Sequence, residues 1–305
     1  VLTEPLASVL AKRREREQVE TRLLQGGVYA IGPRPDLIGY GWQQLGVEIY
    51  GAPLLNSWLD RELGLAGRLV LTDGSTQLVR TEAIMRIPQL AIHLDRSVND
   101  EGLKLDKQLH TAPVWSVGHP GIHVLDHVAH AAGCLTVDID GYDLRLYDTA
   151  RPAVFGPHQE FFGSARLDNL SSMHASLVAM ISSGESDAIQ MIAAFDHEEL
   201  GSASRSGASG PLLADVVTRI SAGLGATLDQ RHRALSESFC LSADTGHAIH
   251  PNYPGRHDPV NQPLLNSGPL LKINANQRYA TDGRGAALWR RRPRGADPLH
   301  HLGRP

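Results

Sequence analysis

The pattern of hydrophobic and polar positions divides the chain into a strand-rich stretch and a later stretch where helices and strands alternate. From Gly46 to about Thr136, short β-branched segments are bounded by Gly, Asp or Pro, which is typical of strands joined by turns. Residues 67–74 end in Asp-Gly, a strong short signal for a β-hairpin. Residues 121–133 interrupt this stretch with a helical pattern. We therefore predict a β-rich module that contains one short helix.

The second stretch begins at about Val137. Apolar residues recur at helical spacing in residues 169–182 and 211–226. Three apolar runs predict buried strands, and they occupy residues 188–195, 238–243 and 269–274. Strands that alternate with helices are typical of an α/β fold, in which a mostly parallel sheet is flanked by helices.

The two ends of the chain differ from both stretches. Residues 1–25 carry a weak apolar stripe and many charges, which predicts an amphipathic helix. Residues 31–42 hold two prolines and three glycines, which predicts a loop. Residues 283–305 contain six arginines and no core pattern, so we predict an unstructured tail.

Composition and charge exclude several classes of function. The formal net charge is −4, so nothing indicates a surface for nucleic acid or for an anionic membrane. No apolar run approaches the length that spans a bilayer. The two cysteines, Cys134 and Cys240, form no C-x-x-C pair, which favours a reducing, cytoplasmic location over a disulfide framework.

Acidic side chains follow the predicted buried strands. Residues 196–199 (Asp-His-Glu-Glu) follow the first of them, Asp244 follows the second, and Asp168 opens a predicted helix. In open α/β sheets, sites form at the carboxyl ends of the strands. Bringing several carboxylates together costs several kcal/mol per ion unless a cation compensates. The sequence therefore predicts a site for a divalent metal such as zinc.

Other interpretations of single residues stay open. Asp168 taken alone is typical of a helix cap, and His197 taken alone is typical of a packed or hydrogen-bonded residue. His123, His127 and His130 share one helical face. That face is predicted to be partly solvated rather than metal-binding, because no acid accompanies these histidines in the H-E-x-x-H manner.

Long collinear stretches carry a resemblance to a known family. Over residues 37–282 the sequence resembles the M18 aspartyl aminopeptidases. The matching stretches are GVEIYG (46–51), SWLDRELGLAGRL (57–69), RIPQLAIHLDR (86–96), SARLDNL (164–170), FDHEELGSAS (195–204), SADTGHAIHPNY (242–253) and LKINANQRYATDG (271–283). The resemblance implies a zinc-exopeptidase-like α/β catalytic domain with an inserted β-rich dimerisation domain. The expected divisions are residues 1–45 and 137–282 for the catalytic domain, 46–136 for the insertion, and 283–305 for the tail.

The resemblance also implies an activity and the residues that perform it. The family is expected to use two zinc ions per subunit to remove N-terminal Asp or Glu from peptides, in homo-oligomers that build from dimers to a dodecamer. Glu198 is similar to the general base, and Asp168, Glu199 and Asp244 are similar to the zinc ligands. The residues similar to the family's substrate-binding side chains are His93, His247, Lys272 and Tyr279.

The chain departs from the family pattern at two places. The family's A-H-x-D-S-P segment and its final M-H-S segment supply one zinc-binding histidine each, and this sequence contains neither segment. No histidine precedes His93. The resemblance therefore leaves an alternative function, that of a catalytically inactive, truncated family member that retains only self-association.

Overall fold

The computed structural model describes residues 29–119, 121–276 and 278–291, and residues 29–39 by their backbone alone. The chain forms two compact units, residues 1–240 and 241–305. In the described residues of the first unit, six strands form an antiparallel sheet and two more form a hairpin. The order in the larger sheet is β4-β3-β6-β1-β2-β5. The strands are β1 Tyr29–Gly39, β2 Trp42–Ile49, β3 Leu63–Leu71, β4 Thr76–Arg80, β5 Val114–Val117, β6 Ile139–Asp148, β7 Ala153–Phe155 and β8 Phe161–Gly163.

The helices lie mainly after the sheet. The described helices of the first unit are α1 Val98–Glu101, α2 Val124–Ala132, α3 Leu167–Ser182, α4 Leu212–Gly223 and α5 Leu228–Glu237. In the second unit α6 spans Gly283–Arg290. Short 3-10 helices occur at Leu55–Trp58, Thr136–Asp138, Glu198–Leu200 and Pro254–Arg256. None of the helices in the described part of the chain is both long and apolar enough to cross a bilayer.

The core of the first unit lies between the sheet and α2. The predicted Asp-Gly hairpin is confirmed, since β3 and β4 pair in register on either side of a turn at residues 72–75. The predicted short helix is also confirmed as α2, which buries Val124 and Val128. Burial of the aliphatic side chains of this core supplies most of the stabilisation of the unit. The core residues are Leu45, Leu59, Leu63, Leu65, Leu69, Val79, Met85, Ile87, Val124, Val128, Leu144 and Leu146.

The prediction of a loop at residues 31–42 is wrong. Most of it belongs to β1, which pairs with β2 from Tyr29↔Ile49 to Gly39↔Trp42. The register shifts between Ile31 and Asp36, the stretch that contains both prolines. Proline lacks the N–H that a ladder needs, so a local irregularity lets a strand continue past it. The two prolines therefore give the sequence of β1 the character of a loop, although the strand continues past them.

The three predicted buried strands are also absent as paired strands. Residues 188–195, 238–243 and 269–274 lie outside the helices and strands of the described chain. Apolar side chains in them are exposed, including Ile189, Phe239 and Ile273. A buried parallel strand requires hydrogen-bonding neighbours on both edges, and the described residues provide none for these segments. The three segments are apolar, but they pair with no strand of the described chain.

The remaining predicted helices and the tail have mixed outcomes. The predicted helix at residues 169–182 lies within α3, and residues 211–226 contain α4 as predicted. The tail differs from its prediction at its beginning, because residues 283–290 form α6, where the Asp282 carboxylate accepts the N–H of Gly285 at 2.7 Å. This cap stabilises a first turn that the polar composition does not reveal. The predicted helix in residues 1–25 and the rest of the tail lie outside the described residues.

Candidate active site

A tight turn in the first unit presents Glu198 and Glu199. The preceding residue, His197, has a left-handed backbone with φ of 59°. Its N–H donates to the Asp196 carboxylate at 2.8 Å, and its ring nitrogen Nδ1 lies 2.9 Å from the Ser204 hydroxyl. The backbone N–H of Ser202 donates to the His197 carbonyl at 3.0 Å. These bonds hold His197 in an uncommon conformation and leave the two glutamates exposed on the 3-10 helix that follows.

Glu199 lies against Gly51, two residues after the end of β2. A Cβ atom at Gly51 would stand 3.1 Å from the Glu199 Cβ, and Gly51 has φ of +74°. Glycine adopts this conformation without strain and leaves room for the glutamate side chain. The GVEIYG stretch therefore contributes directly to the position of one predicted metal ligand. Sequence reasoning missed this contact, because nothing in either stretch indicates that they meet.

Asp168 lies in an irregular segment near the beginning of α3. Its φ and ψ are −82° and 113°, which are not helical, and the peptide bond to Asn169 is cis. Arg166 precedes it in a left-handed conformation with φ of 64°. The Asp168 side chain is exposed. It opens the helix as predicted from the sequence, and the side chain of Arg166, the N-cap residue of α3, makes no capping hydrogen bond.

In the second unit, three predicted site residues come together. The Lys272 ammonium lies 3.0 Å from the Asp244 carboxylate oxygen Oδ2 and 5.2 Å from the centre of the Tyr279 ring. The Lys272 side chain is 28% exposed, so it is only partly solvated. An ammonium over an aromatic face gains electrostatic stabilisation that increases with desolvation. This cluster therefore presents a positive charge flanked by a ring, beside a carboxylate.

Two other predicted substrate-binding residues are exposed. His247 follows Asp244 in the irregular segment of the second unit. His93 lies in a turn of the first unit between the exposed side chains of Ile92 and Leu94. Neither has an interaction in the described structure that defines a role, so both assignments stay predictions.

The three histidines at α2 are exposed to solvent. His123, His127 and His130 are exposed on α2 or at its N-terminus. Within the described residues, no group of three or more His, Cys, Asp or Glu side chains is close enough to hold a metal ion. The exposure of these three histidines agrees with the predicted partly solvated face.

The same finding bears on the predicted zinc ligands. Asp168 and Glu199 belong to the first unit and Asp244 to the second. Carboxylates fit a divalent cation, and the Lys272 ammonium is itself a cation held at Asp244. Zinc sites usually also include imidazole or thiolate, which this ligand set lacks. The donor chemistry therefore fits a divalent metal, while the assembly of these carboxylates around one stays a prediction.

Comparison with known families gives a match over most of the chain. A family profile described as aminopeptidase I zinc metalloprotease (M18) matches residues 30–297. A curated protein from Streptomyces coelicolor, named a probable M18 family aminopeptidase 2, is 50% identical over 267 residues. That alignment covers 85% of this chain and 62% of the relative. The chain therefore spans less than two thirds of the length of this relative.

Solved structures give the same result for the fold. The chain is similar to a structure described as the Ape4 and Nbr1 complex, with a TM-score of 0.79 and 31% identity over 87% of this chain and 56% of the other. It is also similar to the mApe1 dodecamer of S. cerevisiae, with a TM-score of 0.72 and 29% identity over 87% of this chain and 63% of the other. The predicted zinc-exopeptidase-like α/β fold class is confirmed by these similarities.

Proposed function

Because the chain belongs to the M18 family of aminopeptidase I zinc metalloproteases, we propose that it removes acidic residues from the N-termini of peptides. The observation that carries this choice of substrate is the cluster of Lys272, Tyr279 and Asp244 in the second unit. An acidic side chain needs a fixed cation to compensate its desolvation, and a partly buried ammonium is such a cation.

Lys272 is proposed to bind the side-chain carboxylate of the first residue of the peptide. Its ammonium carries three N–H donors, and the contact with Asp244 at 3.0 Å fixes the position of the charge beside the proposed substrate. The Tyr279 ring provides an apolar wall on the side of the ammonium. His247 is close to Asp244 in sequence and is proposed to bind the same substrate.

Glu198 is proposed to be the general base. It accepts a proton from the water that attacks the scissile carbonyl and later delivers that proton to the leaving amine. Glu198 is exposed at the start of the 3-10 helix, which supports a role in contact with the substrate. Asp168, Glu199 and Asp244 are each proposed to be a zinc ligand, and two bound zinc ions would supply Lewis acidity and lower the pKa of water.

Self-association is part of the same proposal. The yeast relative is described as a dodecamer, and the chain is proposed to form homo-oligomers that build from dimers. Exposed apolar side chains around His93, such as Leu90 and Leu94, are consistent with burial against another subunit. His93 is proposed to contribute to a neighbouring subunit's site.

One specific observation favours a second candidate function. Within the described residues, no group of three or more His, Cys, Asp or Glu side chains is placed to hold a metal ion, although six strands of the first unit pair into one sheet. A chain that folds as a β-rich unit without assembling a metal site is expected to retain self-association and to lack peptidase activity.

Metal content and hydrolysis of an Asp-linked chromogenic substrate distinguish the two candidates. The peptidase proposal expects bound zinc and turnover that Glu198→Ala reduces by about 10²-fold or more while the zinc content is retained. Glu185→Ala is the matched control, because Glu185 is also an exposed acid and lies outside the proposed site. Absence of both zinc and turnover, in a chain whose far-ultraviolet circular dichroism shows it folded, would exclude the peptidase.

A further inference from the structure

The first unit contains a concave site whose lining residues have no role in the proposed peptidase function. It is a cavity of about 550 Å³. Three arginines contribute to its wall, Arg61, Arg151 and Arg166, whereas Asp148 is the one acid among the lining residues that the structure describes. Cavities of this size hold small molecules, and a few charged groups then determine which molecule binds.

Strand register brings these distant residues together. Leu63 at the start of β3 pairs with Asp148 at the end of β6, so Arg61 lies beside the Asp148 carboxylate and forms an ion pair with it. The hairpin of β7 and β8 then reverses the chain, with Ala153 opposite Gly163. Residues 163–166 therefore return to the segment that holds Arg151 and complete the cavity wall.

The acid in the wall is already engaged within the chain. One Asp148 oxygen, Oδ2, binds the Arg61 guanidinium, and the other, Oδ1, accepts the N–H of Ala150 at 2.9 Å. The Asp148 side chain is 18% exposed, which limits its access to a further partner. The formal charge of the lining side chains is +3 from arginine and −1 from aspartate, which gives +2. Asp148 therefore does not compensate the whole positive charge of the cavity.

Arg151 is the arginine with the most freedom to bind a ligand. It is exposed and makes no hydrogen bond or ion pair with the residues that the structure describes. Trp58 from the 3-10 helix Leu55–Trp58 adds an aromatic surface to the same wall and packs partly into the core. A guanidinium presents a planar fork of donors that matches two oxygens of a carboxylate or phosphate.

We propose that this cavity binds a small molecule through an oxyanion, a phosphate or a carboxylate group, with Arg151 as the principal ligand-binding residue. The oxyanion is held by guanidinium groups, and the remaining volume accommodates the body of the molecule beside Trp58. This proposal does not depend on the peptidase proposal, because anion binding at the cavity is measured without any substrate turnover.

Calorimetric titration of the chain with inorganic phosphate, and separately with succinate, tests this proposal against chloride at the same ionic strength. One or both anions are expected to bind saturably, and the one that binds identifies the oxyanion. Arg151→Gln should weaken that binding by about tenfold or more, the loss expected for a hydrogen bond to a charged group. Arg151→Lys should retain part of it, because the charge stays and the planar fork does not.

Arg219→Gln is the matched control. Arg219 is also exposed and lies on α4, away from the cavity, and glutamine is as good a helix former as arginine. This variant should bind the anion as the unmodified chain does. The proposal is overturned if neither anion binds beyond the chloride control, or if Arg151→Gln and Arg219→Gln weaken binding equally.

Discussion

The ammonium of Lys272 lies 3.0 Å from Oδ2 of Asp244, and this pair joins a proposed substrate-binding residue to a proposed metal ligand. The other carboxylate oxygen, Oδ1, accepts the backbone N–H of Thr245 at 2.8 Å. Both oxygens are thus engaged, and the Asp244 carboxylate is held in one orientation. A change at Lys272 therefore acts on two groups of the site, which makes the pattern of its effect informative.

Lys272→Met is expected to lower kcat/KM for peptides with N-terminal Asp by about 10- to 100-fold, because a charge-assisted hydrogen bond to the substrate is lost. Activity on a peptide with N-terminal Ala should fall much less, so the ratio of the two values is the measurement. Lys272→Arg keeps the charge and should restore part of the preference. An equal loss on both peptides would instead show that Lys272 acts through Asp244.

Gly67→Ala is expected to destabilise the first unit by about 2 kcal/mol or more. A Cβ atom at Gly67 would stand 2.0 Å from the Asp143 carbonyl oxygen of β6, the strand that pairs with β3. The obstructing atom is backbone, so the sheet has to shift to relieve the contact. Gly223→Ala, where a Cβ meets nothing within 4 Å, is the control and should be neutral or stabilising. Urea unfolding measures both, and equal stabilities would contradict the close approach.

Thr81→Val is expected to cost about 1–3 kcal/mol of stability although it preserves shape. The buried Thr81 hydroxyl accepts the N–H of Leu65 at 2.9 Å and donates to the Glu82 carbonyl at 2.9 Å. Valine leaves the buried N–H without a partner. Thr81→Ser keeps the hydroxyl and loses only a methyl group, worth about 0.8 kcal/mol. Thermal unfolding should therefore rank the serine variant above the valine variant, and the reverse order would refute this account.

The Asp106 carboxylate is expected to titrate at lower pH in the folded chain than in the unfolded chain. Backbone N–H groups of Leu109 and Gln108 donate to its charged form, each at 2.8 Å, and hold its pKa below the ordinary value. The resulting stabilisation is fully present above the unfolded pKa of about 3.9 and is lost as the pH falls through the folded pKa.

Nuclear magnetic resonance titration of Asp106 measures this shift directly. Asp106→Asn provides the control, because the stability difference between this variant and the unmodified chain should be constant above about pH 5 and change below about pH 4. A difference that does not depend on pH would show that these backbone bonds do not favour the charged form.

Local patterns were sufficient for elements that local interactions specify. The hairpin at Asp73-Gly74 and the helices α2, α3 and α4 follow from turn chemistry and helical periodicity, and the structure contains all of them. The β1 strand was missed because its prolines indicate a loop, and only pairing with β2 shows that the strand continues past them. Strand pairing is a property of two segments, so one segment read alone does not reveal it.

The sequence by itself determined the family, the β-rich stretch and the residue types that metal and substrate chemistry require, because these depend on side-chain identity and on order along the chain. Only the tertiary structure decided that Lys272 pairs with Asp244, that Gly51 leaves room for Glu199, and that three arginines far apart in sequence share one cavity. Those relationships depend on register and chain reversal, which bring distant residues into contact through interactions that no local pattern encodes.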